Sequence, residues 1–281
     1  MTDVAPALPG GPDGRSILVT NDDGVDSPAL LPLADALDDL GEVRIVVPDG
    51  ERSWSGKAMT RFADVTVAEA ERGGRTVVAT TGSPADAAQI GCGLLAPGPD
   101  LVVSGINLGH NHGSAFVLSS GTIGAAAEAV LLGRTAVALS TGTMDDDWAG
   151  WRRMIAEPAA RAGWVRLAGQ ARRVLDEVLV SGLVGGCDLV SVNLPWGTDD
   201  DTPWRVTTLA PTRYGPMMLP DTDGRWAASY GGLEVLDVVA TAGTAVTDIA
   251  AAQAGMVSIT PLNFPTHALV DDHVRDHLER G

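Results

Sequence analysis

An apolar strand that runs straight into two adjacent carboxylates constrains this chain more than any other feature. Ile17-Leu18-Val19-Thr20 leads directly into Asn21-Asp22-Asp23-Gly24. Nothing in the requirements of folding calls for two neighbouring anions at a strand's end. Side chains alternate faces along a strand, but in a turn two consecutive Asp side chains can converge on one cation, and a hard divalent metal is the direct reason for such a pair. The competing reading is an Asx-type turn in which Asp caps the following helix.

Strand and helix signals alternate after this point. Ser16 to Thr20, Val43 to Val47 and Leu101 to Ser104 read as short strands, with helical stretches at Pro28 to Leu40 and Ser83 to Leu95. Ser83 is a natural N-cap, Pro84 fits the first helical position, and Asp86 suits the positive end of the helix dipole. Such alternation predicts an α/β fold with a mostly parallel sheet covered on both faces, where ligands bind at the carboxyl ends of the strands. The unusual residues collect there: Asp22 and Asp23 after the first strand, Pro48-Asp49-Gly50-Glu51-Arg52-Ser53 after the second, and Gly105-Ile106-Asn107-Leu108-Gly109-His110-Asn111 after the third. The Gly-rich run continues to Ser119-Ser120-Gly121-Thr122, where an Ala-rich helix from Ile123 to Leu132 begins. Backbone N–H groups at such a helix start form an oxyanion cradle, or Ser and Thr serve there as ordinary caps. No dinucleotide or P-loop glycine fingerprint occurs in a strand-to-helix context.

The 281 residues, 45% of them hydrophobic, are ample for a buried core. With 19 basic against 36 acidic residues the net charge is −17, which argues against duplex nucleic acid or an anionic membrane as the main partner. A phosphate site on such a chain needs a metal or local Arg and Lys to reverse the sign. Cys92 and Cys187 form no C-x-x-C pair, so a reducing, cytoplasmic setting is expected. Residues 1–14 lack the basic and apolar regions of a leader and read as a flexible lead, and no apolar run is long enough to span a bilayer.

Farther on, Ile155 to Val180 has helical periodicity, Leu189 to Leu194 and Val257 to Pro261 read as strands, and residues 196–235 suggest loops or a β-hairpin excursion. The end, His267 to Arg280, reads as an amphipathic helical tail that docks on its own chain or on a neighbour's.

Taken together the loops resemble the SurE (stationary-phase survival protein E) family of metal-dependent nucleotidases, with a Rossmann-like three-layer α/β/α core. The resemblance rests on Thr20-Asn21-Asp22-Asp23-Gly24, the Arg52-Ser53 to Thr60 loop, Thr81-Gly82-Ser83-Pro84-Ala85-Asp86, Val103-Ser104-Gly105-Ile106-Asn107, Ser120-Gly121-Thr122 and Val257-Ser258-Ile259-Thr260-Pro261-Leu262, in that order. It implies one SurE-like domain over 15–281, an insertion near 144–165 with no assignable role, and an oligomerisation tail at 265–281 that supports a homodimer or homotetramer. It implies one divalent cation per subunit held by Asp22, Asp23, Ser53 and Asn107; with four oxygen donors this favours Mg²⁺ or Mn²⁺, or Ca²⁺, over Zn²⁺. It places Asn111 beside metal and phosphate and gives Ser120, Gly121 and Thr122 the phosphoryl oxygens. The implied reaction is hydrolysis of nucleoside 5′-monophosphates, and of 3′-monophosphates as a further substrate, with Asp22, Asp23 and Asn111 as the catalytic set. Either Asp could accept the water's proton, and so could a metal-bound hydroxide.

Several features qualify that picture. The Asp pair is adjacent rather than Asp-x-Asp, which argues against an aspartyl-phosphate route of the haloacid dehalogenase type. Trp54 stands where relatives commonly have Gly, and either stacks on a base or covers the loop. The stretch from Asn111 to Ser120 carries one extra residue and lacks an acidic one at Ser114 or Ala115. His110 and His112 flank Asn111 as phosphate donors, leaving-group acids or solvated loop residues. A non-catalytic nucleotide- or metal-binding module on the same scaffold is the alternative function, and a broader phosphatase acting on short polyphosphate a third.

Overall fold

The first apolar run forms strand β1 (Ser16–Thr20), whose Leu18 faces one side while Ile17 and Val19 face the other, all fully buried. Burial on both faces is why the run shows no polar alternation. In the computed structural model, which describes residues 14–94, 98–145, 147–236 and 246–264, this strand sits near the middle of a nine-stranded sheet. The remaining strands are β2 (Glu42–Pro48), β3 (Val67–Arg72), β4 (Arg75–Thr80), β5 (Leu101–Leu108), β6 (Thr135–Gly142), β7 (Leu189–Pro195), β8 (Trp204–Val206), β9 (Thr212–Tyr214), β10 (Met218–Pro220), β11 (Trp226–Ala228), β12 (Leu233–Val235) and β13 (Val257–Leu262). The helices are α1 (Leu30–Leu37), α2 (Pro84–Leu94), α3 (Gly113–Ser119), α4 (Gly121–Leu131), α5 (Trp148–Ala156), α6 (Arg161–Val180) and α7 (Asp248–Gln253).

The sheet order is β3-β4-β2-β1-β5-β6-β7-β13-β8. Strands β4, β2, β1, β5, β6 and β7 run parallel, while β3 and β13 are antiparallel to β4 and β7. From β1 the chain winds outward through β2 and later returns to the other side at β5. The β1/β5 junction is therefore the topological switch point, where an α/β sheet leaves a crevice outside its strand ends.

Two layers of helices cover the faces. Ile17 and Val19 share one core with Leu33 and Leu37 of α1 and Leu167, Val174 and Leu175 of α6. Leu18 shares the other with Ala87 of α2 and Ile123, Ala126 and Ala127 of α4. In α6 the buried Trp164, Leu167, Ala168, Ala171, Val174, Leu175 and Val178 recur at helical spacing. Gly91 lets α2 lie close on the sheet, since a Cβ there would stand 2.5 Å from a Leu18 methyl. No single helix among the described residues is long and apolar enough to cross a membrane; the apolar α3–α4 pair is bent by 68°.

The expected α/β/α architecture is present, with instructive differences. The β3–β4 hairpin lies where no strand was expected, because β3 is an exposed edge strand reading Val-Ala-Glu-Ala-Glu-Arg, too polar to register as an apolar run. Strand β5 continues to Leu108, with a register shift between Ser104 and Asn107, so Asn107 sits on the strand's end rather than in the following loop. The Gly-rich run after Asn111 folds into the short α3. The single helix expected over Ile155 to Val180 is two, divided at Pro158, whose missing N–H and ring break the α-helical ladder. The excursion over 196–235 is β-structured as expected, with β10–β11 and β9–β12 each pairing antiparallel. The tail expected over 265–281 lies outside the described residues, as does the lead apart from Gly14.

Candidate active site

The turn after β1 is an Asx turn, but Asn21 makes it. Its Oδ1 accepts from Gly24 N at 3.0 Å and its Nδ2 donates to Gly24 O at 3.2 Å. Helix α1 starts at Leu30 with no side-chain cap. Neither Asp is therefore needed for turn or cap, and both are available for chemistry. Gly24 has φ +87° and lies so close to Gly50 that a Cβ would come within 2.6 Å of its carbonyl carbon. That contact lets the β2 loop strap down over the turn, with Arg52 N donating to Asp22 O at 2.7 Å and Val25 N to Pro48 O at 3.0 Å.

Asp22 is 4% exposed, and its Oδ1 accepts from the Thr122 hydroxyl at 2.6 Å. Gly121 packs against the same carboxylate: a Cβ there would lie 2.7 Å from Asp22 Cβ, 2.8 Å from its Oδ2 and 2.8 Å from Ser55 Oγ. Only a glycine lets the start of α4 approach this closely. Asp23 Oδ2 accepts from Leu108 N at 3.0 Å, and its Oδ1 stands 3.8 Å from Arg152 Nη1. Burial raises the pKa of Asp22 against the pull of its Thr122 hydrogen bond. Asp23 is pushed up to about 8, first by burial and then by the charge of Asp22. Two adjacent carboxylates this desolvated are unfavourable as anions unless a cation joins them.

The other expected residues lie on the same rim but make their own bonds. Ser53 is exposed and donates to Glu51 Oε1 at 2.6 Å, and Glu51 Oε2 in turn meets Arg152 Nη2 at 3.4 Å. Asn107 donates through Nδ2 to Gly109 O at 2.6 Å, which leaves its Oδ1 free of that bond. Asn111 is buried; its Nδ2 donates to Ser140 Oγ at 2.9 Å and its backbone N to Asn193 Oδ1 at 2.7 Å. Ser120 Oγ accepts from Ile123 N at 3.1 Å, so it is the N-cap of α4. Thus Asp22, Gly121 and Thr122 are in direct contact, Asp23 joins them through the chain, Ser53, Asn107 and Ser120 each adjoin a residue that touches the pair, and Asn111 is held instead by Ser140 and Asn193.

Among the described residues no group of three or more His, Cys, Asp or Glu side chains is placed to hold a metal. A cation at the Asp pair would draw its remaining ligands from neutral oxygens, which is the chemistry of Ser53 and Asn107. This donor set, with the buried anion pair and the side-chain-free cradle at Gly121, fits a hard divalent cation.

His110 and His112 stack at 4.7 Å between centroids. Burial, then the neighbouring His112, holds His110 well below the usual imidazole range; burial also lowers His112, against the opposing charge of Asp248. Trp54, with φ +62° and 48% exposed, packs edge-on against Phe116 at 5.5 Å and Tyr214 at 5.7 Å. It ties the loop to α3 and the excursion.

Three sets of contacts that matter to the site were not legible in the sequence, although Asp86 itself stood out beside Ser83. Asp86 accepts from Thr60 N, Thr60 Oγ1 and Ser83 N; burial opposes its ionisation, but the bonds from Ser83 and Thr60 prevail and hold its pKa below the ordinary value. It clamps the far end of the Ser53 loop, which explains why Thr60 and Asp86 belong to one pattern. Asp248 accepts from Gly113 N and Ala210 N, fixing the start of α3 against the excursion. Arg152 comes from the 144–165 segment, and nothing in the local sequence marked it. The separation in sequence of 26, 135 and 129 positions from Thr60, Gly113 and Asp23 hides all three pairings.

A family profile described as Survival protein SurE matches residues 17–216. The chain is 34% identical to the 5′-nucleotidase SurE of Methanothrix thermoacetophila over 270 residues, covering 94% of this chain and 99% of that protein. It is 37% identical to the 5′-nucleotidase SurE of Methanocella arvoryzae over 250 residues, covering 88% and 91%. The SurE protein of Aquifex aeolicus, known from a crystal structure, superposes with a TM-score of 0.67 at 27% identity, over 93% of this chain and 97% of that one. With a profile spanning most of the chain and relatives matched nearly end to end, this protein belongs to the SurE family.

Proposed function

We propose that this chain hydrolyses nucleoside monophosphates to nucleoside and phosphate, using one divalent cation, Mg²⁺ or Mn²⁺ with Ca²⁺ as a third candidate, held by Asp22, Asp23, Ser53 and Asn107. The observation that carries the reading is the buried Asp22–Asp23 pair set against Gly121 and Thr122 at the start of α4. When bound, the cation supplies Lewis-acid polarisation of a phosphoryl oxygen.

The chain's own residues do the rest. Thr122 holds Asp22 in one rotamer through its 2.6 Å bond, so the carboxylate needs no reorganisation. Gly121 lets the start of α4 lie directly against Asp22. The first N–H groups of a helix have no intrahelical acceptor; at α4 Ser120 takes that of Ile123 and Asp22 that of Thr122, so Gly121 N is the donor offered to an anion arriving beside the pair. Asn111 is fixed by Asn193 and by Ser140, the residue that pairs with Asn107 across β5 and β6. The relatives' name supports the 5′-monophosphate ahead of the 3′. A homodimer or homotetramer completes the proposal.

Phosphate release from a panel of nucleoside monophosphates, with EDTA and with added Mn²⁺, tests it in wild type and Asp23→Asn. Release that requires metal and is lost in the variant is expected. Metal-independent nucleotide binding without release would replace the enzyme by a binding module.

A further inference from the structure

Arg152 stands on α5, a helix of the 144–165 segment for which the sequence suggested no role. The helix is firmly seated. Asp147 caps it, accepting from Gly150 N at 2.8 Å, and Trp151 and Ile155 are buried beneath it. Trp148 lies against Gly109, where a Cβ would come within 3.1 Å of the indole. The helix that carries Arg152 and the segment that carries Asn107 are fitted to each other.

The guanidinium reaches over the rim. Nη1 donates to Leu108 O at 3.1 Å and stands 3.8 Å from Asp23 Oδ1, while Nη2 meets Glu51 Oε2 at 3.4 Å. The side chain is 28% exposed, so the fork is partly open. A guanidinium has five N–H donors in a rigid plane matched to phosphate, and these contacts do not exhaust them. Charge gives the arrangement a purpose. A divalent cation offsets Asp22 and Asp23, but Glu51 remains, and a phosphate monoester dianion brings further negative charge to a chain that already carries −17. A fixed cation on the rim cancels that remaining charge and gives the arriving anion a direct partner.

We propose that Arg152 binds the substrate's phosphate group beside the divalent cation, an assignment that rests on the phosphomonoesterase reading above. Titration calorimetry of the full chain as wild type, Arg152→Ala and Arg152→Lys tests it without turnover, using inorganic phosphate at saturating Mg²⁺ and, separately, Mg²⁺ alone. Phosphate affinity is expected to fall about ten- to a hundredfold in Arg152→Ala, the scale of a charge-assisted hydrogen bond. Lys is expected to restore part of it as a point charge without the fork. Mg²⁺ affinity is expected to hold or tighten, because a positive charge beside Asp23 has gone. In turnover, KM should rise by a similar factor while kcat changes less. Unchanged phosphate affinity in folded Arg152→Ala overturns the proposal, as does a loss confined to Mg²⁺ binding. Should that variant fail to fold, Arg152→Gln is read by the same criteria. Absence of turnover by wild type on every nucleotide would count against the nucleotidase reading alone, since the phosphate titration still reports on Arg152.

Discussion

Two halves of the candidate site share one rim and are held by different forces. The inner half, Asp22, Gly121 and Thr122, is buried, and its geometry follows from where β1 ends and α4 begins. The outer half is more open: Ser53, Glu51 and Trp54 stand on a loop held by Asp86, aromatic edges and long ion pairs, and Arg152 reaches over it from α5. Charges in the inner half are desolvated, so each interaction there is strong and each mismatch expensive. In the outer half water screens the same charges, and a surface ion pair contributes about 0–1 kcal/mol. Preorganised chemistry belongs to the inner half, while the outer half is suited to admitting and recognising a ligand.

The largest test of this contrast is Asp22→Asn. Metal-dependent turnover should drop at least about a hundredfold, the scale of removing one preorganised electrostatic partner. The metal-free unfolding midpoint should not fall, since a neutral amide replaces a carboxylate that burial disfavours. Residual turnover near wild type, or collapse of the fold, would break the assignment of strong interactions to the inner half. Gly121→Ala comes next: the added methyl displaces Asp22 or α4, and displacements near 1 Å cost about a hundredfold in rate. Turnover within twofold of wild type would mean that the close approach is not used.

A pH series sharpens the comparison further. Asp23 has a folded pKa pushed up to about 8, above the ordinary carboxylate value of 3.8, so the metal-free folded state binds the proton more tightly than the unfolded state between those values. Stability therefore falls as pH rises from about 5 to 8; the slope should lessen in Asp23→Asn, where the raised Asp22 still titrates, and disappear with saturating Mg²⁺. A flat profile in metal-free wild type would show that the pair is better solvated than its burial implies. The smallest effect is expected in the outer half. Trp54→Ala removes two edge-on aromatic contacts worth about 0.5–1.5 kcal/mol each, so thermal unfolding should shift by a few degrees with metal affinity unchanged. A loss of activity matching Asp22→Asn would erase the distinction between the halves.

The legibility of the chain followed burial. Ile17 to Thr20, Val43 to Val47 and Leu189 to Leu194 stood out because each is mostly β-branched and aliphatic residues that the sheet buries, with few polar positions among them. The reciprocal bonds of Ser83 and Asp86 at the start of α2 were legible because capping uses residues three positions apart. Strand β3 was missed because an exposed edge strand is as polar as a loop. The Asp pair was visible as chemistry without a folding role, and Asn21 supplies the reason, since it makes the turn that an Asp was otherwise expected to make.

By itself, then, the sequence determined the α/β class, the adjacent carboxylates at a strand end and the family pattern. These are local properties, written in periodicity, side-chain chemistry and short spacings. Only the tertiary structure decided that Gly121 must lack a side chain, that Trp54 closes its loop against Phe116 and Tyr214, and that Arg152 stands over Asp23 from a segment with no apparent purpose. Each of these depends on the distance between elements far apart in the chain. Packing of the helices on the sheet sets those distances, and no local pattern encodes them.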